Sequence, residues 1–394
     1  MLWINFLHFY QPANIEREKI IEAAEKSYSK ILTLLEKNPG IKFSINLSGS
    51  LLIRFTEELK YDSLIGRLAN LIAKGQVEIV GTAAYHPLIP LTNSKIVLTQ
   101  IKEQEELLKK YLTPKKPLGF FLPEMAYSAE AGKQIKKLGY EWIVLDEISS
   151  GLGQLGKIDT SKIYQDQKSG LKIIFRSRHW SSGYIPKNTL ENWESLQGKT
   201  IITGTDAELY GLKHEDHSGS FSKLLEKDGL RTATISEFID SSDAPPEPVD
   251  LLPSSWETTE KEMEEGVPFA LWSGNDKIHK KLWKLARLAE KLYLKHKKSE
   301  ANLDEPRRAG YWAYWHLVRG LASCTFWWAS GKSFDHNFGP RAWSPDETEK
   351  GINELVRSIR SLEKCTDLKT KLRAEKLALE IKKLVWEKHW KEQT

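Results

Sequence analysis

Short β-prone apolar runs, each closing on a polar cluster and most followed by a stretch of helical periodicity, recur through the first 205 residues. They fall at residues 2–7, 42–48, 76–81, 119–122, 141–147, 171–176 and 199–205, and the last is β-branched and short. Amphipathic stretches at 16–37, 50–74 and 94–111 separate the early ones; Asn38-Pro39-Gly40 stops the first, and the second is broken near Asp62. Strand and helix in alternation predict an α/β fold with a parallel, barrel-like sheet. The connection from the fifth run to the sixth is Gly- and Ser-rich, with no obvious helix. Around 240–256 the composition turns to Ser, Asp and Pro, which reads as a linker. From 276 onward the pattern is helical, over 277–298, 305–330, 344–364 and 368–391. The expected organisation is therefore a barrel over 1–240, a linking segment over 241–275 and a helical domain over 276–394.

At 40% hydrophobic and 28% charged residues the chain is globular, and no apolar run is long enough to span a bilayer. A net charge of +5, from 58 basic and 53 acidic residues, is too slight to argue for nucleic acid. Met1-Leu2-Trp3-Ile4-Asn5 has no basic leader region, and two cysteines, Cys324 and Cys365, cannot frame a disulfide network, so a cytoplasmic setting is expected. The 14 tryptophans lean the reading toward carbohydrate, because flat aromatic faces suit the C–H faces of sugar rings. Nothing in the sequence bears on oligomeric state.

In a (β/α) barrel the C-terminal strand ends share one rim. His8 follows the first run, His86 the third, Glu124 the fourth, and Asp206 and Glu208 the seventh. Glu124 stands where a strand hands over to a helix, behind the stiffening Pro123. Two carboxylates across a cleft are what glycosidic bond cleavage needs, and Glu124 and Asp206 are the candidate pair.

The ordered segments His8-Phe9-Tyr10-Gln11-Pro12, Gly75 to Thr82, Gly119 to Glu124, Thr205 to Gly211 and Cys324 to Ser330 resemble the five motifs of glycoside hydrolase family 57. The resemblance implies an incomplete (β/α)7 TIM-like barrel followed by helices that complete the active site. It implies a retaining reaction on α-glucans, of α-amylase or 4-α-glucanotransferase type, with Glu124 as nucleophile, Asp206 as acid/base and no cofactor or catalytic metal. Phe121 stands where the family usually has tryptophan, and Ala207 where it often has glycine. In this mechanism Asp206 is expected to hold a raised pKa, supplied by burial and a neighbouring carboxylate.

Candidate substrate contacts are His8, Gln11, His86, Phe121, Tyr127 and Glu208. His217, in the loop His214-Glu215-Asp216-His217, is read as cleft-lining rather than metal-binding. Trp180, Trp256 and Trp272 are candidate stacking platforms against a core role, and of Trp327 and Trp328 one is expected to face the cleft. The competing readings are a metal-dependent polysaccharide deacetylase using His8, His86 and Asp206, and a non-catalytic glucan-binding protein.

Overall fold

The computed structural model describes residues 1–300, 308–331, 334–335, 339–340, 342–362 and 366–392. Residues 305–307 and 363–364 of the expected helices, and Cys365, lie outside them. The chain divides into two compact units. One comprises Met1–Gln11, Ile15–Ala84 and Ile101–Trp256, the other Pro12–Asn14, Tyr85–Gln100 and Glu257–Thr394.

The first unit carries all seven expected strands: β1 (Leu2–Phe9), β2 (Phe43–Leu47), β3 (Val77–Val80), β4 (Gly119–Phe120), β5 (Trp142–Asp146), β6 (Lys172–Arg176) and β7 (Thr200–Asp206). β1 lies between β2 and β7, parallel to both, with His8 opposite Asn46 on one side and Asp206 on the other. β2 continues to β3, while β4, β5 and β6 form a second parallel set. Gly81 joins the two sets by donating to Gly119 O (3.0 Å) and accepting from Phe121 N (2.8 Å). On the other side, Ser177 N donates to Ile202 O (2.9 Å). β1 is buried along nearly its whole length, as a parallel strand covered on both faces must be, so its apolar run does not alternate. Gly119 is required by packing, since a Cβ there would stand 2.1 Å from the Trp142 ring.

The fifth-to-sixth connection holds an extra strand instead of a helix. Ile163–Asp166 runs antiparallel to β6, and Glu247–Val249 adds to it in parallel. The expected linker is therefore sheet edge in part, where Pro248, with no N–H to give, is tolerated. The first unit runs on to Trp256, past the expected boundary at 240, with Tyr127 and Ser254 paired by backbone bonds.

The expected helix at 16–37 is interrupted by a π segment, Ala24–Tyr28, and that at 50–74 by a second, Arg54–Glu58, before the break at Asp62. π segments shift side-chain direction by adding a residue to one turn, and the first matters to the site.

The second unit is helical: Lys277–Glu300, Arg308–Gly320, Ser323–Trp327, Pro345–Ser361 and Leu368–Glu392. Segment Tyr85–Gln100 belongs to this unit, where Ser323 N donates to His86 O (2.8 Å) and Asn93 N to Glu290 Oε1 (2.9 Å). Among the described residues no helix is long and apolar enough to cross a membrane.

Candidate active site

Glu124 sits in a tight turn, Pro123–Met125, two residues beyond β4. Its φ is +62°, and Met125 follows at +49°, two successive non-glycine residues in the left-handed region. Such backbone costs about 1–3 kcal/mol and persists only where surrounding bonds over-determine it. Trp256 supplies two of them: its backbone N donates to Glu124 O (3.1 Å) and its indole Nε1 to the carboxylate Oε2 (2.9 Å). A carboxylate so held is fixed in direction, as a nucleophile must be.

Trp256 is itself clamped from behind. The buried Asp146 at the end of β5 accepts from Arg176 Nε (2.8 Å) and from Arg178 Nε. Arg176 also donates to Gly204 O on β7 (2.7 Å), and Arg178 to Trp256 O (3.2 Å). The Arg176 guanidinium lies 5.3 Å from the Trp256 ring centroid, within cation–π range. One buried carboxylate and two guanidiniums thus tie β5, β6, β7 and the Trp256 backbone together, each bond charge-assisted.

His8, at the end of β1, is buried, stacks on Tyr10 (5.4 Å) and packs on Phe121 (4.5 Å) and the edge of Trp256 (6.2 Å). Its Nδ1 lies 2.8 Å from Asn46 Oδ1, and Asn46 Nδ2 donates to Val80 O (2.9 Å). Since the amide direction is fixed by Val80, Nδ1 carries the proton and Nε2 is the acceptor nitrogen. Burial pushes His8 down to about 4, against the opposing pull of Asp206 and Asn46, so the ring is neutral at neutral pH.

Asp206 ends β7, with 37% of its side chain exposed, and its Oδ2 accepts from Lys213 Nζ at 2.7 Å. Desolvation raises its pKa, but Lys213, His8 and Arg176 together outweigh that and hold the carboxyl below its ordinary value. This corrects the expectation of a raised value: a lysine seven residues on, invisible to strand-end logic, makes Asp206 an anion at rest. Glu208 shows the opposite. It is 3% exposed, and burial together with the Asp206 charge pushes it up to about 7, despite Lys213 and Tyr28.

Glu208 Oε1 accepts from Gln11 Nε2 (2.9 Å) and from the Tyr28 hydroxyl. The π segment is what delivers Tyr28. Its neighbour Ser27 donates to Ala207 O (2.6 Å), and the Lys26 carbonyl approaches so closely that a Cβ on Gly211 would stand 2.1 Å from it. Gly211, at φ +130°, is thus needed twice over.

Within the first unit, then, His8, Gln11, Phe121, Glu124, Asp206, Glu208 and Trp256 belong to one connected set. Tyr127 does not: it is fully buried and donates its hydroxyl to Asp166 (2.8 Å), leaving no face for a ligand. Trp180 is half-buried in the short helix Arg178–Ser181, edge-on to His179. His217 is 86% exposed and faces Glu215 (3.2 Å), while Asp216 accepts from Tyr184, Ser220 and Phe221. Hydrogen bonds to its acid hold that loop.

In the second unit, His86 is buried at φ +56° with Nδ1 2.8 Å from Ser323 Oγ. Trp327 and Trp328 are both half-buried. Trp272 is 1% exposed, and its carbonyl accepts from Trp283 Nε1 (2.7 Å); with no open face, it is a core residue and not a platform.

Sequence reasoning missed Asp146, Arg176, Lys213 and Tyr28. The strand-end rule, applied to the fifth and sixth strands as it was to the others, finds the first two. Nothing local marks Lys213 or Tyr28. The metal-dependent alternative gains no support, since among the described residues no three His, Cys, Asp or Glu side chains converge and Asp206 is paired with Lys213.

The chain matches the model of Glycosyl hydrolase family 57 over residues 3–251. A 4-alpha-glucanotransferase of Thermococcus litoralis is 29% identical over 250 residues, covering 60% of this chain and 36% of the relative. An alpha-amylase of Pyrococcus abyssi is 35% identical over 157 residues, 38% of this chain and 23% of the relative. The matches thus span well under half the length of these curated relatives. Among solved structures, a GH57 branching enzyme from Thermococcus kodakaraensis superposes with a TM-score of 0.75 at 17% identity, over 96% of this chain and 94% of the other. An alpha-amylase from Thermotoga maritima gives 0.70 at 14%, over 96% of each. At these identities the structural likeness is one of fold.

Proposed function

This chain belongs to glycosyl hydrolase family 57, and from that premise we propose that it cleaves and transfers α-glucan chains by double displacement. Glu124 attacks the anomeric carbon as the glycosidic oxygen leaves with a proton from Asp206. Water or a sugar hydroxyl then gives its proton to Asp206 and displaces the enzyme carboxylate, so configuration is retained. The observation that carries the reading is the strained, Trp256-held carboxylate of Glu124 at a strand end, in the same set as the half-exposed Asp206. An enzyme has reason to hold one acid so rigidly; a binding protein does not. Hydrolysis and transfer differ only in whether water or sugar reaches the intermediate.

The test is product analysis on maltooligosaccharides and amylose, with the anomer formed first read by NMR. Glu124→Gln is expected to lose at least a thousandfold in kcat and all covalent trapping by a fluorinated glycosyl donor. Asp206→Asn is expected to retain trapping with an activated leaving group. A β-anomer formed first from an α-linked substrate would overturn Glu124 as nucleophile, and full activity in Glu124→Gln would overturn the enzyme reading.

A further inference from the structure

The reaction needs a proton on Asp206 when the bond breaks, yet at rest Asp206 is an anion held by Lys213. Two residues on, Glu208 is buried and built into the turn from below. Tyr28, from the π segment, and Gln11, after β1, both donate to one of its oxygens. Both hydrogen bonds fix the carboxyl in place, and neither supplies a positive charge. Charged or titratable groups acting on the pair include Lys213, His8, Arg176 and Tyr28, and Glu124 belongs to the same connected set. His8 is neutral above about pH 4, and Tyr28 stays protonated because burial and Glu208 raise it. Lys213, 56% exposed, is the counter-charge on the Asp206 carboxylate.

We propose that Glu208 is a positioning residue for the reaction: the Asp206–Glu208 pair holds one proton at neutral pH, lodged on Glu208 at rest, and loss of that proton sets the alkaline limit of turnover. The inference rests on the functional reading above. When substrate moves the Lys213 ammonium off Asp206, the pair's proton is available to Asp206 and passes to the leaving oxygen. The attacking water or hydroxyl restores it in the second half. Glu208 touches no reacting atom; it acts through Asp206. With two interacting acids the observed limit belongs to the pair, and because Glu208 is pushed up to about 7 it falls near neutrality.

The variants pull in opposite directions, which a merely structural role would not produce. In Glu208→Gln the neighbouring negative charge is gone and Asp206 titrates alone beside Lys213, so the alkaline limb of kcat/KM moves at least one pH unit toward acid. Tyr28→Phe removes a donor that favours the ionised Glu208, so the limb moves toward alkali. Melting temperatures establish that each variant is folded, and Glu208→Asp is expected to restore part of the wild-type profile. Carboxyl-labelled glutamate NMR gives a readout independent of turnover: a resonance absent in Glu208→Gln should titrate near neutrality and move upward in Tyr28→Phe. Limbs that stay fixed or shift the same way would overturn the proposal, as would a Glu208 resonance already ionised at pH 5. Absence of turnover on any α-glucan would sink the functional reading, leaving the NMR titration to decide where the proton sits.

Discussion

His8 and Glu208 are buried acid–base groups displaced in opposite senses, and their effects on stability oppose one another. His8 falls from 6.5 to about 4 on folding, so between those pH values the unfolded chain binds a proton that the folded chain refuses. Its contribution is present above 6.5 and is lost as pH falls toward 4, roughly 3 kcal/mol in full. Glu208 rises from 4.5 to about 7, so the folded chain keeps a proton that the unfolded chain has released. That contribution is present below 4.5 and is lost as pH rises through 7, again roughly 3 kcal/mol. The two slopes cancel over about pH 4.5–6.5, so these two groups together leave stability nearly unchanged there. Glu208→Gln should unmask a stability that climbs with pH, and His8→Gln one that declines. Urea unfolding at pH 4.5 and 6.5 reads both as changes from the parent's slope, and variant slopes equal to the parent's would refute the opposing contributions.

At the scale of elements, the seat of the acid pair is a turn docked on an irregular helix. A regular α-helix through residues 17–37 would rotate Ser27 and Tyr28 away from Ala207 and Glu208. Gly211 lets the Lys26 carbonyl close on the turn. Gly211→Ala combines a disfavoured φ with a collision against backbone, and should cost about 2–4 kcal/mol. It should also weaken the Tyr28–Glu208 bond, so its alkaline limb is expected to follow that of Tyr28→Phe. A Gly211→Ala protein with parental stability and pH profile would show that the two segments are not coupled. The Asp146–Arg176–Arg178 cluster plays the matching part for Glu124, fixing Trp256 and through it the nucleophile's carboxylate.

At the scale of the whole molecule, the two units are interleaved in sequence. Tyr85–Gln100 departs from the first unit to join helices that begin more than 150 residues later, where His86 meets Ser323 and Asn93 meets Glu290. A chain ending at Trp256 strips this segment of these partners and leaves the buried His86 without its hydroxyl contact. It is expected to be cut by protease within 85–100 and to lose maltooligosaccharide turnover. Full specific activity in that shortened chain would show the first unit to be sufficient.

Much of this was legible in the sequence because it is local. The seven strands announce themselves as short β-prone runs, since each must bury both faces in a parallel sheet, and Glu124 and Asp206 are found by their places at strand ends. The Ser-, Asp- and Pro-rich stretch at 240–256 looks like a linker because edge strands tolerate proline and need few apolar residues. Tyr127 reads as a substrate contact and Trp272 as a platform because a sequence records an aromatic ring but not which of its faces is covered. What only the tertiary structure decided is the electrostatic state of the site. The amino-acid order names the carboxylates, but a carboxyl's proton affinity depends on burial and on charges within a few ångströms. Those charges and donors arrive from Lys213, Arg176 and the π-displaced Tyr28, whose proximity to Asp206 and Glu208 exists only once the chain has folded.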